Sequence, residues 1–305
     1  MLSIVFFFIY IFLFIGGMTV MRTGLMHLSG EKMKQWLLKF TSNPLKSFLF
    51  GIIITIILQS SSAVMIIIIG LISARVMSFP QSIGIILGTN IGTTATVEFL
   101  AYGTDEFIFP LLITGILFIF FRKSFIRSLG LCLFGLGAIF LAMFGFEKLA
   151  IPLAENQYLA KLFVQMNEHL MLSVLVGCIV TAIIQSSTAM TGIAMGFIHA
   201  NILSLPAAIG IVLGANIGTC FDAYIASIGG GKEAKQTAYA HIWINFIGVF
   251  LFLPFLIPFS SIMEDLSFVP EQQLAHASVI FNVVVSLLFL PFTHFFAKMI
   301  QRVHK

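Results

Sequence analysis

Residues 51–93 and 177–219 lie over one another without a gap, and 23 of the 43 aligned positions are identical. The offset is 126 residues (185 − 59) throughout. Matching local patterns specify matching local structure, so the two halves must fold alike. The shared positions are not only apolar. They include Gln59/Gln185, Ser60/Ser186, Ser61/Ser187, Pro80/Pro206, Gly88/Gly214, Asn90/Asn216, Gly92/Gly218 and Thr93/Thr219. Two polar islands therefore occur twice: QSSS at 59–62 with QSST at 185–188, and GTNIGT at 88–93 with GANIGT at 214–219. Compositional drift readily produces shared isoleucines, but not these.

The islands lie in very apolar surroundings. Of 305 residues, 59% are hydrophobic and 9% charged, and the mean hydropathy is +1.07. So few charges cannot keep a soluble surface dispersed, whereas lipid accepts such a chain once its backbone is paired internally. The composition predicts a polytopic membrane protein, all-α by its long apolar segments: one integral membrane domain over 1–305, with repeat 1 at about 2–121, repeat 2 at about 129–258 and an extra C-terminal span at 274–299. No length remains for a soluble enzyme module. The first apolar stretch lacks a basic leader and a small-residue cleavage site, so it is expected to stay as a span. Cys132, Cys178 and Cys220 form no metal-ligand spacing and are expected to act as small packing residues.

Full spans are predicted at Leu2–Met21, Phe107–Phe121, Leu129–Phe146, Ala234–Pro258 and Leu274–Met299. Ser47–Ser73 is different, because QSSS divides it into arms of about 12 to 14 residues. At 1.5 Å per residue, each arm crosses only half of a roughly 30 Å hydrocarbon core. The stretch reads as a re-entrant hairpin with QSSS at its tip, and Leu172–Ala200 reads the same way around QSST. An amphipathic segment precedes each hairpin (Glu31–Lys46 and Ile151–Glu168). A span interrupted at its glycines follows each one (Pro80–Gly103 and Pro206–Gly229). With these crossings, 14 of the 16 Lys and Arg residues fall on one side and only Lys148 and Lys161 on the other. The positive-inside rule then puts the N-terminus outside, the C-terminus in the cytoplasm, and the two hairpins on opposite faces as inverted repeats.

Inverted repeats with interrupted helices put a transport site near the midplane. Each tip starts a half-helix, whose free amides and positive dipole end favour an anion. The hydroxyls of Ser60, Ser61, Ser62, Ser186, Ser187 and Thr188 add donors. Gln59 and Gln185 either donate to an anion or accept from a cation. Asn90, Thr93, Asn216 and Thr219, with carbonyls unwound beside them, are oxygen ligands suited to a hard cation such as Na⁺. No Lys or Arg lies in the middle of a predicted segment, so a buried anion needs co-bound cations. That favours a cation-coupled carrier over an anion channel lined by basic rings.

Glu98 and Asp222 are the intramembrane carboxylates and therefore site-lining candidates. The plainer readings are a wet interface for Glu98 and a helix cap for Asp222. AHIWIN…LPF (240–255) and ASVIFN…LPF (277–292) are a second similarity, offset by 37. They add His241, Asn245 and Asn282 as candidates for lining the site or for bonding helices together. For the tips themselves, the plainer reading is close helix packing by small residues, which suits one copy better than two in register. No GxSxG elbow accompanies the serines, so no serine hydrolase is expected.

With paired QSS and GxNIGT segments and AHIWIN at Ala240–Asn245, the chain resembles the sodium–phosphate cotransporter family that includes the animal type II transporters and many bacterial members. The resemblance spans roughly residues 8–297. It implies sodium-coupled symport of inorganic phosphate by alternating access in a bacterial plasma membrane. Phosphate would bind at the serines and threonine of the two tips, and sodium at Gln59, Gln185, Asn90, Thr93, Asn216 and Thr219. No resident cofactor is implied, since sodium ions serve as coupling ions. Phosphate, sodium and the lipid bilayer are the partners. Nothing points to nucleic acid, and a homo-oligomer is compatible with the apolar surface. The chain departs from the family in having Ala63 and Ala189 after the motifs, no HxxxN pattern in Phe107–Phe121, and no cytoplasmic helical domain. Alternatives are a carrier for another small oxyanion and a net phosphate exporter.

Overall fold

The computed structural model describes residues 2–29, 43–103 and 105–304. Among these residues every regular element is helical. In chain order they are α1 (Leu2–Ser29), α2 (Pro44–Leu58), α3 (Ser61–Ser73), α4 (Phe79–Ala101), α5 (Ile108–Ile119), α6 (Ser124–Ala154), α7 (Gln157–Glu168), α8 (Leu170–Ile184), α9 (Ser187–His199), α10 (Leu205–Gly218), α11 (Cys220–Ser227), α12 (Gly231–Phe252), α13 (Leu256–Leu266), α14 (Pro270–Phe289) and α15 (Thr293–Val303). The predicted amphipathic stretch Glu31–Lys46 lies largely outside the described residues.

The helix bounds repeat with the sequence. α2, α3 and the α4 limits, shifted by 126, coincide with α8, α9 and the limits of α10–α11. The left-handed residues repeat too, as Gln59 with Gln185 and Arg75 with Asn201. The second similarity is equally regular. α12 and α14 each run into a single 3₁₀ turn (Leu253–Phe255 and Leu290–Phe292), and each turn leads to an 11-residue helix. The proline in each LPF lacks an amide, so the α-helical ladder tightens there instead of continuing.

Six helical stretches are long and apolar enough to cross a membrane: Leu2–Leu28, Phe79–Ala101, Ser124–Ala154, Leu205–Ser227, Gly231–Leu266 and Pro270–Val303. Their outer faces are aliphatic and aromatic; Leu2, Phe12 and Phe109 are each more than two-thirds exposed. A surface of that kind suits lipid.

Contacts give the helix directions. Gly17 meets Gly135 and Gly24 meets Ser128, so α1 and α6 run antiparallel although they begin the two halves. Along α2 and α4, Gly84 meets Ser47, Gly88 meets Phe48 and Gly92 meets Thr55, so these two run parallel. α8 and α10 repeat that parallel packing through Gly210 against Ser173 and Gly218 against Thr181. The return arm α3 lies on α11 and α12 of the second half, whereas the return arm α9 lies mainly on α6 and α10 of its own half and also touches α4 of the first.

Two expectations need correction. The first interrupted span does not exist: α4 is one continuous helix of 23 residues through GTNIGT. Its glycines serve close contact instead, since a Cβ on Gly88 would collide with the carbonyl oxygen of Phe48. In the second half the helix is divided at Thr219, but only slightly, because Thr219 keeps right-handed angles of −63° and −22°. The predicted span at Phe107–Phe121 is also shorter, with a 12-residue helix, α5, preceded by a 3₁₀ turn. At 1.5 Å per residue, α5 is about 18 Å long, less than a full hydrocarbon core. It lies antiparallel along α6, with Gly115 against Phe134 and Gly130 against Ile119.

Candidate anion and cation site at the hairpin tips

Each tip is a helix stop followed at once by a helix start. Gln59 closes α2 in the left-handed region at φ 51°, and Ser60 caps α3, its hydroxyl accepting from the Ala63 amide at 3.1 Å. Gln185 at φ 55° and Ser186 do the same for α8 and α9, with the Ala189 amide at 3.2 Å. The Ser60 and Ser186 oxygens are thus used as cap acceptors, and their O–H groups remain donors. The next amide in each helix bonds the cap carbonyl (Val64 to Ser60, Met190 to Ser186). The amides of Ser61, Ser62, Ser187 and Thr188 precede those bonds and lack an intrahelical acceptor.

The surroundings of the two tips differ. At tip 1, the Ser62 hydroxyl donates to Asp222 Oδ2 at 2.6 Å, and the Thr96 hydroxyl donates to Gln59 Oε1 at 2.5 Å. Gln59 Nε2 turns back to the Ile56 carbonyl at 2.6 Å. Arg22 of α1 donates through Nη2 to the Gln59 carbonyl at 3.2 Å. Asp222 is buried, and its Oδ1 is without a partner, as is Nε of Arg22. At tip 2, by contrast, Gln185 is exposed, and the side chains of Gln185, Ser187 and Thr188 make no hydrogen bond among the described residues.

Beside tip 1 lies a buried polar chain. Asn90 Nδ2 donates to Asn245 Oδ1 at 3.2 Å, and Asn245 Nδ2 reaches Cys220 Sγ at 3.3 Å and the His241 carbonyl at 3.0 Å. This chain bonds α4, α11 and α12 together, which is the helix-bonding role. His241 Nδ1 is buried there without a partner. The remaining candidates bond locally. Thr93 donates to Thr89, Thr219 to Ala215, Asn216 to Val212 and Asn282 to Ser278, each to a backbone carbonyl of its own helix. The unwound carbonyls expected at the first GxNIGT are absent, because α4 is unbroken there. Glu98 pairs with His276 Nδ1 at 2.7 Å.

Arg22 and Thr96 are the two tip neighbours absent from the sequence expectations. Arg22 was assigned to a cytoplasmic end because the first span was expected to stop at Met21, but α1 continues to Ser29. The repeat carries the missing signal for Thr96, since position 96 plus 126 is Asp222. Both residues of that matched pair touch tip 1. Cys220, expected only to pack, also receives the Asn245 amide.

The Na⁺/Pi-cotransporter family model matches residues 13–148 and 150–264. A Bacillus subtilis protein named only as the uncharacterized protein YqeW is 45% identical over 300 residues, 98% of each chain. A Salmonella typhimurium protein named as a candidate inorganic phosphate export protein, YjbB, is 28% identical over 86% of this chain and 48% of its own length. The chain therefore spans about half of that relative. The sodium-dependent phosphate transport protein 2B of Bos taurus is 35% identical over 30% of this chain and 13% of its own. No solved structure matches. With the family model covering most of the chain and both QSS tips within it, this protein belongs to the Na⁺/Pi-cotransporter family.

Proposed function

We propose that the protein carries inorganic phosphate across a bacterial plasma membrane in symport with sodium, by alternating access. The observation that carries this reading is the pair of capped helix starts, each opening on hydroxyls and first-turn amides, with a buried carboxylate bonded to Ser62 at one of them. The hydroxyls and amides of 60–62 and 186–188 suit an oxyanion. Asp222, Gln59, Gln185 and the NIGT side chains suit sodium. Arg22 and Asp222 offset one another at tip 1, so fixed charge alone does not balance a bound phosphate. Co-bound sodium would provide that balance and so couple the two fluxes.

The antiparallel seating of α1 and α6, and the contact of each return arm with the other half, support inverted repeats that exchange access. That antiparallel seating requires α5, short as it is, to return the chain to the opposite side, and with that crossing the charge distribution supports an N-terminus outside and a C-terminus in the cytoplasm. Direction of net flow follows the gradients, and the name of the YjbB relative favours export as the second reading.

Proteoliposomes holding the purified chain should accumulate labelled phosphate when an inward sodium gradient is imposed, and should lose most of that uptake when potassium replaces sodium. Uptake of equal size without sodium would overturn the symport. Serine-to-alanine changes at the tips test the site. Ser61→Ala and Ser187→Ala should each reduce uptake by about tenfold or more, the scale of one lost hydrogen bond to a charged ligand. If both variants keep wild-type half-saturation for phosphate and sodium, the tips are not the site.

A further inference from the structure

In a re-entrant hairpin the two helix dipoles oppose one another at the tip. The first arm ends there in unpaired carbonyls, and the second begins there in unpaired amides. The anion-attracting end of α3 is thus offset by the carbonyl end of α2. Tip 1 differs from tip 2 in how that carbonyl end is treated. Arg22 donates to the carbonyl of Gln59, the residue that closes α2, and it is the half-buried cation at that point. The 126-residue offset places Lys148 at the matching position of the second half, where it is exposed and paired with Glu147 Oε1 at 2.9 Å. Tip 2 has no cation on the Gln185 carbonyl among the described residues.

An arginine inside a membrane span is costly and has to be matched to something. Here it meets a helix C-terminus, where a cation is favoured. Among the described residues its one hydrogen bond is to the Gln59 carbonyl, and Nε is buried without a partner. Gln59 is otherwise held through its side chain by Thr96. The guanidinium therefore acts on the backbone of the turn, while the side chain is fixed separately.

We propose that Arg22 is the positioning residue that makes tip 1 the stronger anion end of the transport site. By covering the terminal carbonyl of α2, it leaves the amide end of α3 unopposed. Tip 2 lacks such a cover, whereas at tip 1 the Arg22 charge also offsets the Asp222 carboxylate that holds Ser62. This assignment rests on the phosphate-symport reading and divides the anion unequally between two tips that are nearly identical in sequence.

The test compares Arg22→Gln, Arg22→Lys and Lys148→Gln with wild type in sodium-driven phosphate uptake by proteoliposomes. Glutamine retains a donor for the Gln59 carbonyl but removes the charge. Arg22→Gln should raise the KM for phosphate about tenfold while Vmax stays within about twofold, on the scale of a lost charge-assisted bond. Arg22→Lys should bring KM back to within about threefold of wild type, and Lys148→Gln should leave it unchanged. A purely structural arginine would instead lower yield and Vmax with KM unmoved, and that result overturns the proposal. So does a Lys148→Gln protein with the same rise in KM. If Arg22→Gln yields no folded protein, Arg22→Lys decides: restored KM supports the role, and a tenfold rise in a folded protein overturns it. Wild-type protein that moves no phosphate would overturn the transport reading itself, whereas active wild type with an unaltered Arg22→Gln overturns only the role of Arg22.

Discussion

Valine at position 214 is expected to leave no monodisperse protein to purify. A Cβ at Gly214 would collide with the backbone carbonyl oxygen of Val174, and the Cys178 amide nitrogen lies 2.8 Å away. The matching Gly88 presses on the Phe48 carbonyl in the same way. Added methylenes cost about 1–3 kcal/mol where side chains can move aside. Here the obstacle is backbone, so α8 and α10 must separate, and more than about 4 kcal/mol is expected. Gly214→Val and Gly88→Val should each lose the folded peak in detergent, and Gly214→Ala should show a lowered melting temperature if it survives purification. A Gly214→Val protein that melts like wild type would show that the α8–α10 contact is looser than described.

Removal of the Asp222 carboxylate is expected to be nearly as damaging, but to transport instead of folding. Asp222→Ala takes away the acceptor for Ser62 at 2.6 Å and leaves Arg22 without an opposing charge near tip 1. A bond to a charged group contributes about 1.5–3 kcal/mol, so uptake should fall by about ten- to hundredfold while yield stays near wild type. Ser62→Ala and Asp222→Ala, combined, should cost less than the sum of the two alone, because each already breaks the same bond. Strict additivity in sodium-driven uptake would mean that the two side chains act independently, contrary to the contact between them.

The hairpins were legible in the sequence because two independent limits agree on them. Arms of 12 to 14 residues are too short to cross, and the same interruption occurs twice in register. The glycines of GxNIGT were misread because glycine has two uses that sequence does not separate. It breaks helices, and it also lets two backbones touch. Gly88 and Gly92 do the second, and α4 stays whole. Arg22 was missed for a related reason. A charged residue after an apolar run looks like an end, and only the partner it meets shows that α1 continues past it. Thr96 has no distinctive chemistry of its own and becomes visible only once its position is matched with Asp222. The difference between the tips was not legible at all, since it arises from which helices surround them.

The left-handed glutamines bear on what selection has preserved. Gln59 and Gln185 occupy a backbone region that costs an ordinary L-residue about 1–2 kcal/mol and glycine almost nothing. Glycine at either position would relieve the turn at once, and this chain has 25 glycines, many of them in neighbouring helices. On the transport reading proposed above, glutamine at both turns exchanges a more relaxed backbone for an amide side chain at each tip.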